Sequence, residues 1–217
     1  MNINEAKDYI FAIARKNQIG NIPIQQLNLY FRRAQLEIVS SLRDQYELTS
    51  IVSDNLAPLV TPVELYNSSD KFIKPDDYYH WVDIYSNLYT NSESCGVDPT
   101  KEWVPVELIP QNKKSYRRSS LIVSADNRHP IAINYGSYFE VVPTPVKVQL
   151  TYIRQPKNPV WAYVDTPQRP VYNPLLSQDF ELPESTHQEI CFKVLNYMGI
   201  ATRDADLYQV TNEQPSN

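Results

Sequence analysis

PIQQLNLYFRRAQLEIVSSLRDQYE, Pro23 to Glu47, is the stretch that decides how the rest of the chain is read. Pro23 stands where a first-turn proline is tolerated, because its missing N–H would have no helical partner anyway. Behind it, Ile24, Leu27, Phe31, Ala34, Ile38 and Leu42 recur at steps of three and four and form one apolar stripe. A helix over this stretch would be about 37 Å long at 1.5 Å per residue. Leu29, Leu36 and Val39 make a second apolar row on another face. A helix apolar on two sides needs two neighbours. A β domain or another subunit would serve, and the second row is therefore a set of interface candidates.

The same helical period extends to both sides of this anchor and to the far end of the chain. Asn4 is a candidate cap for a helix reaching about Gln18, with Ala6, Tyr9, Ile10, Ile13 and Ala14 on one face and Gly20 as its stop. Pro183 and Glu184 open a third helix, in which His187, Ile190, Cys191, Val194, Leu195 and Met198 share a face and Gly199 ends the regular part. Between the helices the period changes from 3.6 to 2. Prolines punctuate residues 56–154, and strand-like runs lie between them: Trp103 to Ile109, Ile131 to Tyr135, Tyr138 to Val142 and Val146 to Ile153. Gly136-Ser137 is a two-residue hairpin signal. In the last run Val146, Val148, Leu150 and Tyr152 alternate with Lys147, Gln149, Thr151 and Ile153, the pattern of a strand with one buried face. The expected fold is α+β. Residues 1–55 and 180–210 form a helical part, and 56–154 an inserted antiparallel β domain, a small barrel or sandwich. Residues 155–179 form a proline-rich extended arm, and 211–217 a loose tail.

The composition excludes more than it assigns. The chain has 217 residues and a mild net charge of −5, which argues against a protein whose whole surface binds nucleic acid. It has only four glycines, Gly20, Gly96, Gly136 and Gly199, so no glycine-rich nucleotide fingerprint is possible. Cys95 and Cys191 are too few for a secreted disulfide framework. The opening MNINEAKDYIF lacks a signal peptide's charged and apolar regions, and no apolar run approaches a membrane span. A product assembled in a cytoplasm, away from membranes, is expected. The 16 tyrosines suit either β-strands or half-wet interfaces.

Candidate chemistry is sparse. His187 and Cys191 lie four apart on one helix face, the spacing of a metal pair or a thiol–imidazole couple. His80, His129 and Cys95 offer no second pair, so the expectation is a core-facing helix and no metal or other cofactor. Asp76, Asp77 and Asp83, with Glu102 and Glu107, carry no companion motif for carboxylate catalysis, and no catalytic residue is assigned. Lys113, Lys114, Arg117 and Arg118, interleaved with Tyr116, form the strongest charge feature. They read as a loop at a charged boundary, facing an acidic protein neighbour or nucleic acid, or as a solvated surface. In the arm, Trp161, Tyr163 and Tyr172 read as anchors that bury themselves on a neighbouring chain.

Three stretches carry a resemblance: LNLYFRRAQLEIVSSLRDQYELTSIVSDNLAPLV (Leu27 to Val60), KPDDYYHW (Lys74 to Trp81) with HPIAINYGSYFEVVPTPVKVQLTYIRQP (His129 to Pro156), and FELPESTHQEICFKVLNYMGIATRDADLYQV (Phe180 to Val210). In order and style they are similar to the head–tail connector and adaptor ring proteins of tailed bacteriophages, in particular the crAss-like phages of Bacteroidetes. The resemblance implies a non-enzymatic virion structural protein in a homo-oligomeric ring, usually of twelve copies. The ring would surround the DNA channel between portal and tail, touching the portal or other ring and tail proteins. The long arm departs from the simplest adaptors. Two other classes remain open: a tail-fibre or host-binding β module, against which the long helices argue, and a carboxylate-based glycan hydrolase.

Overall fold

The structure, a computed structural model, describes residues 1–16, 22–45, 54–89, 101–120, 123–166 and 170–199. Gln18, Gly20, Glu47, Cys95, residues 200–210 and the expected tail at 211–217 lie outside the described residues. The fold is α+β, and the chain divides into two compact units: residues 1–59 with 156–217, and residues 60–155.

In the first unit, α1 (Ile3–Lys16) buries Ile3, Ala6, Ile10 and Ala14, a stripe at steps of three and four. Its cap is Asn2 rather than Asn4. The Asn2 Oδ1 accepts from the Glu5 amide at 2.8 Å, and the Glu5 carboxylate accepts from the Asn2 amide at 3.0 Å, so two orphan donors are satisfied reciprocally. Asn4 is employed elsewhere, as described below. The second helix, α2 (Ile24–Asp44), has Pro23 at its cap and buries Leu27, Phe31, Ala34 and Ile38 along the expected stripe.

Both of the neighbours that α2 requires come from its own chain. The C-terminal helix of this unit, Glu184–Tyr197, packs against both α1 and α2. On another side, Gln35 Nε2 donates to the Lys157 carbonyl at 2.9 Å, fixing the returning chain on the helix. Val39 is buried and Leu36 half-buried, so these two are core positions and not free interface candidates; Leu29 alone of that row stays open, 62% exposed. The Glu184–Tyr197 helix buries His187, Ile190, Cys191, Val194 and Leu195, and it ends at Gly199, whose φ of 74° is a left-handed conformation that favours glycine.

The second unit is two four-stranded sheets around one core. Sheet one has the order β1 (Val60–Tyr66), β8 (Lys147–Arg154), β3 (Tyr78–Tyr89), β4 (Lys101–Pro105), all antiparallel. Sheet two has the order β2 (Phe72–Ile73), β7 (Tyr138–Val142), β6 (Ile131–Asn134), β5 (Glu107–Ile109). Phe72, Ala132, Phe139 and Val141 from sheet two meet Ile84, Val148, Leu150 and Tyr152 from sheet one in a shared core. The barrel expectation is therefore replaced by two open sheets. The antiparallel expectation is corrected at one pair, since β5 runs parallel to β6. The run Trp103 to Ile109 is two strands, because the chain passes from sheet one to sheet two at Val106, after Pro105. In β8 the alternation holds from Val148 to Tyr152. Val146 lies before the strand and is exposed, while Ile153 is buried despite its place in the outward series.

Candidate assembly surface

The arm is a folded ribbon and not a single extended segment. Val160 and Gln178 exchange backbone hydrogen bonds at 2.9 Å and close its base. Strand β9 (Tyr163–Asp165) then pairs antiparallel with β10 (Pro170–Tyr172), setting Tyr163 opposite Tyr172 and Val164 opposite Val171. The Asn173 amide bonds the Ala162 carbonyl, and Ser177 Oγ accepts from the Ala162 amide while donating to the Asn173 carbonyl at 2.7 Å.

Trp161 roots this ribbon in its own unit. Its side chain is only 2% exposed. The indole Nε1–H donates to Asn4 Oδ1 at 2.9 Å, and Asn28 brackets its backbone, accepting from the Trp161 amide at 2.9 Å and donating to its carbonyl at 3.3 Å. Lys7 Nζ stands 4.4 Å from an indole ring centroid. Tyr163 and Tyr172 stack on Trp161 with centroids 5.7 and 5.8 Å away. The expectation that Trp161 and Tyr172 bury themselves on a neighbouring chain is overturned for Trp161, and Tyr163 and Tyr172 are half-buried against it. The reason is that Asn4 and Asn28 supply the polar partners that a buried tryptophan and its backbone need.

Since adjacent strand residues point to opposite sides, stacking Tyr163 and Tyr172 inward turns Val164 and Val171 outward. Both are exposed, as are Leu176 and Leu175, the latter 93% exposed. These exposed residues were missed in the sequence because the segment has no long period. The signal was available in Tyr163-Val164 and Val171-Tyr172, mirror-image steps of one tyrosine and one valine.

The basic residues lie on a short helix, α3 (Lys114–Ser119), with Lys113 just before it, and not on a loop. Two of the four are committed inward. Lys114 pairs with Glu140 at 2.6 Å, which raises its pKa, and Arg117 pairs with Glu107. These two pairs clamp α3 over the outer face of sheet two. There Ile109, Ile131 and Ile133 form a second small core, packed by Ala125, Tyr135 and Val142. Lys113, Tyr116 and Arg118 remain exposed.

His187 and Cys191 have structural occupations. Both ring nitrogens of His187 lie 2.8 Å from carbonyl oxygens, Nδ1 from Met1 and Nε2 from Leu182. Cys191 is fully buried, and burial pushes its thiol up to about 12, far from the thiolate that a nucleophile or ligand requires. Asp77 accepts from the Tyr152 hydroxyl at 2.8 Å, and Asp83 from the Ile84 amide at 2.8 Å. Among the described residues no group of three or more His, Cys, Asp or Glu is placed to hold a metal ion, and no helix is long and apolar enough to cross a membrane.

One residue that the sequence reading passed over joins three structural pieces. Lys74 Nζ donates to Asn134 Oδ1 at 2.5 Å and to the Tyr135 carbonyl at 2.6 Å, and it lies over the rings of Tyr78 and Phe139. Burial lowers its pKa. Only a lysine's reach across the β6–β7 hairpin could have signalled this, and the pairing of strands had to be known first.

A scan of known protein families finds none that matches this chain, and a search of curated proteins finds no match either.

Proposed function

We propose that this chain is a structural subunit of a virion ring, a head–tail connector component whose work is mechanical. The observation that supports this reading is the ribbon. A ribbon rooted by a buried tryptophan leaves Val164, Val171, Leu175 and Leu176 exposed. Exposed apolar residues on a rooted ribbon suit an obligate contact with another polypeptide. Closed rings need such a surface and a different receiving surface on the same subunit, since a head-to-tail interface joins unlike patches. The resemblance of the long helix, the β stretch and the closing Leu-Pro-Glu helix to connector proteins supplies the place in the particle. Exposed Lys113 and Arg118 fit a boundary with an acidic neighbour or with channel DNA.

Reconstruction of particles that contain the chain tests this reading. The expected result is a closed ring between portal and tail, with contacts between copies. Isolated copies, or copies at the tip of a fibre, would overturn it.

A further inference from the structure

Lys74 follows directly on β2, and its ammonium group sits among groups supplied mainly by the β6–β7 hairpin. An ammonium has three N–H bonds, and three oxygens face this one. They are Asn134 Oδ1 at 2.5 Å, the Tyr135 carbonyl at 2.6 Å and the Gly136 carbonyl at 3.2 Å. Two rings stand close by, Tyr78 with its centroid 4.6 Å from Nζ and Phe139 at 4.7 Å. At that range a ring face attracts a cation. All five groups are uncharged, so they favour a positive charge through their dipoles and ring quadrupoles alone.

The bonds that position these groups do not pass through Nζ. Asn134 pairs with Phe139 across β6 and β7, and the Tyr135 amide donates to the Tyr138 carbonyl at 3.0 Å, closing the hairpin. The Asn134 side chain also hydrogen-bonds the Tyr78 hydroxyl, which restricts how its amide turns. Phe139 is 1% exposed and locked in the core. The main chain of residue 74 is held separately, its amide donating to the Ser137 carbonyl at 3.1 Å. Shortening the side chain at 74 therefore leaves the three oxygens and two rings in place. A receptor arranged in advance keeps its affinity when its occupant is taken away.

We infer that the β6–β7 turn, with Tyr78 and Phe139, is a binding site for a primary alkylammonium group, kept filled by the chain's own Lys74. It is independent of the ring proposal. The ligand class follows from the acceptors. Three oxygens around one nitrogen call for three N–H donors on a single atom, with an alkyl stem leaving towards β2. A quaternary ammonium brings the charge but no donor, and would strand the Tyr135 carbonyl and Asn134 Oδ1. A guanidinium spreads its donors over a plane and cannot converge them on one point. Because no carboxylate belongs to the site, removing the cation leaves no uncompensated charge behind, and the Gly136 side is open to water. In the parent chain the covalent tether gives Lys74 a high effective concentration and keeps free amines out.

Lys74→Ala removes Cγ through Nζ, the heavy atoms of n-propylammonium, and so opens a space of that ligand's shape. Urea denaturation of the full-length variant is followed at neutral pH with n-propylammonium chloride, tetramethylammonium chloride or sodium chloride at matched ionic strength. The expected result is a midpoint that rises saturably with n-propylammonium and not with the other two salts. At 100 times its dissociation constant the ligand should raise the folded-to-unfolded ratio about a hundredfold. The parent chain should respond alike to all three salts. So should Lys74→Met, whose stem fills the space without supplying a donor. Where Lys74→Ala is unfolded on its own, n-propylammonium and not tetramethylammonium is expected to restore its far-ultraviolet spectrum. A Lys74→Ala chain that treats the three salts alike, or a Lys74→Met chain that gains as much from n-propylammonium, would overturn the inference.

Discussion

Lys74 holds the β6–β7 hairpin by donating to Asn134 Oδ1 and to the carbonyls of Tyr135 and Gly136, and among the described residues no carboxylate is bonded to it. Removing it strands the Tyr135 carbonyl and Asn134 Oδ1 in a half-buried place. Charged donors of this kind contribute about 1.5–3 kcal/mol. Lys74→Ala is therefore expected to lower the stability of the chain by about 1–3 kcal/mol in urea denaturation, with an unchanged far-ultraviolet spectrum; a variant as stable as the parent would show that the clamp is idle. Cys191 makes a chemical prediction. With its thiol pushed to about 12 and no exposure, it should resist maleimide in the folded Cys95→Ser chain and react promptly in denaturant. Rapid labelling of the native chain would contradict the burial. The same residue shows what one sequence can and does not reveal. The spacing of His187 and Cys191 placed both on a buried face, as found. It gave no hint that His187 meets two carbonyls, because one partner, Met1, comes from the far end of the chain and the other, Leu182, from the stretch just before the helix.

At the scale of elements, the ribbon separates two sets of residues that composition alone lumps together. Trp161→Ala deletes a buried indole and takes from Asn4 Oδ1 its indole donor, while Asn28 keeps its two backbone bonds, so it is expected to cost about 3–5 kcal/mol of stability. Val164→Ser with Leu175→Ser touches only exposed positions and should change stability by no more than about 0.5 kcal/mol per site while impairing association. Denaturation curves and sedimentation of the two variants distinguish these effects; a Trp161→Ala chain as stable as the parent would return the tryptophan to an interface role. The helices were legible because their periods are long and clean: α1 and α2 occupy the expected stretches to within a few residues of their described ends. The longest strand, Tyr78–Tyr89, was not identified. Its outward residues include tyrosines, so polar and apolar positions do not alternate cleanly. Among the interface candidates Leu29 is exposed while Val39 and Trp161 are buried, a difference that the sequence pattern could not sort. Sorting them requires knowing that the arm folds back beside α2.

For the molecule as a whole, the division into two units has a testable consequence. Residues 60–155 have their own core and enter and leave through paired strands, so a chain of these residues alone is expected to fold, with dispersed amide resonances and a cooperative melt. A molten spectrum would show that the core is insufficient. Alkali should weaken this excised unit. Burial raises Tyr78 to about 12, and burial with the Asp77 hydrogen bond raises Tyr152 to about 12, against an ordinary value of 10.0. The folded form then holds these phenol protons while the unfolded chain gives them up. Stability is full below about pH 10 and falls as pH rises from there towards 12. Thermal melts at stepped alkaline pH check the sign, and a melting temperature that stays level or climbs over that range would refute it.

The pairing of Val60 with Ile153 sets how this chain bears force. Tension travelling along the backbone enters the β unit at Val60 and departs just past Ile153, and two residues paired across antiparallel strands have Cα atoms only about 5 Å apart. A pull at those points opens β1 from β8 like a zip, one hydrogen bond at a time from that end, instead of shearing the whole ladder at once. The sandwich is therefore weak to stretching along its own covalent path, and in the ring proposed above the load would have to pass through sideways contacts between copies instead.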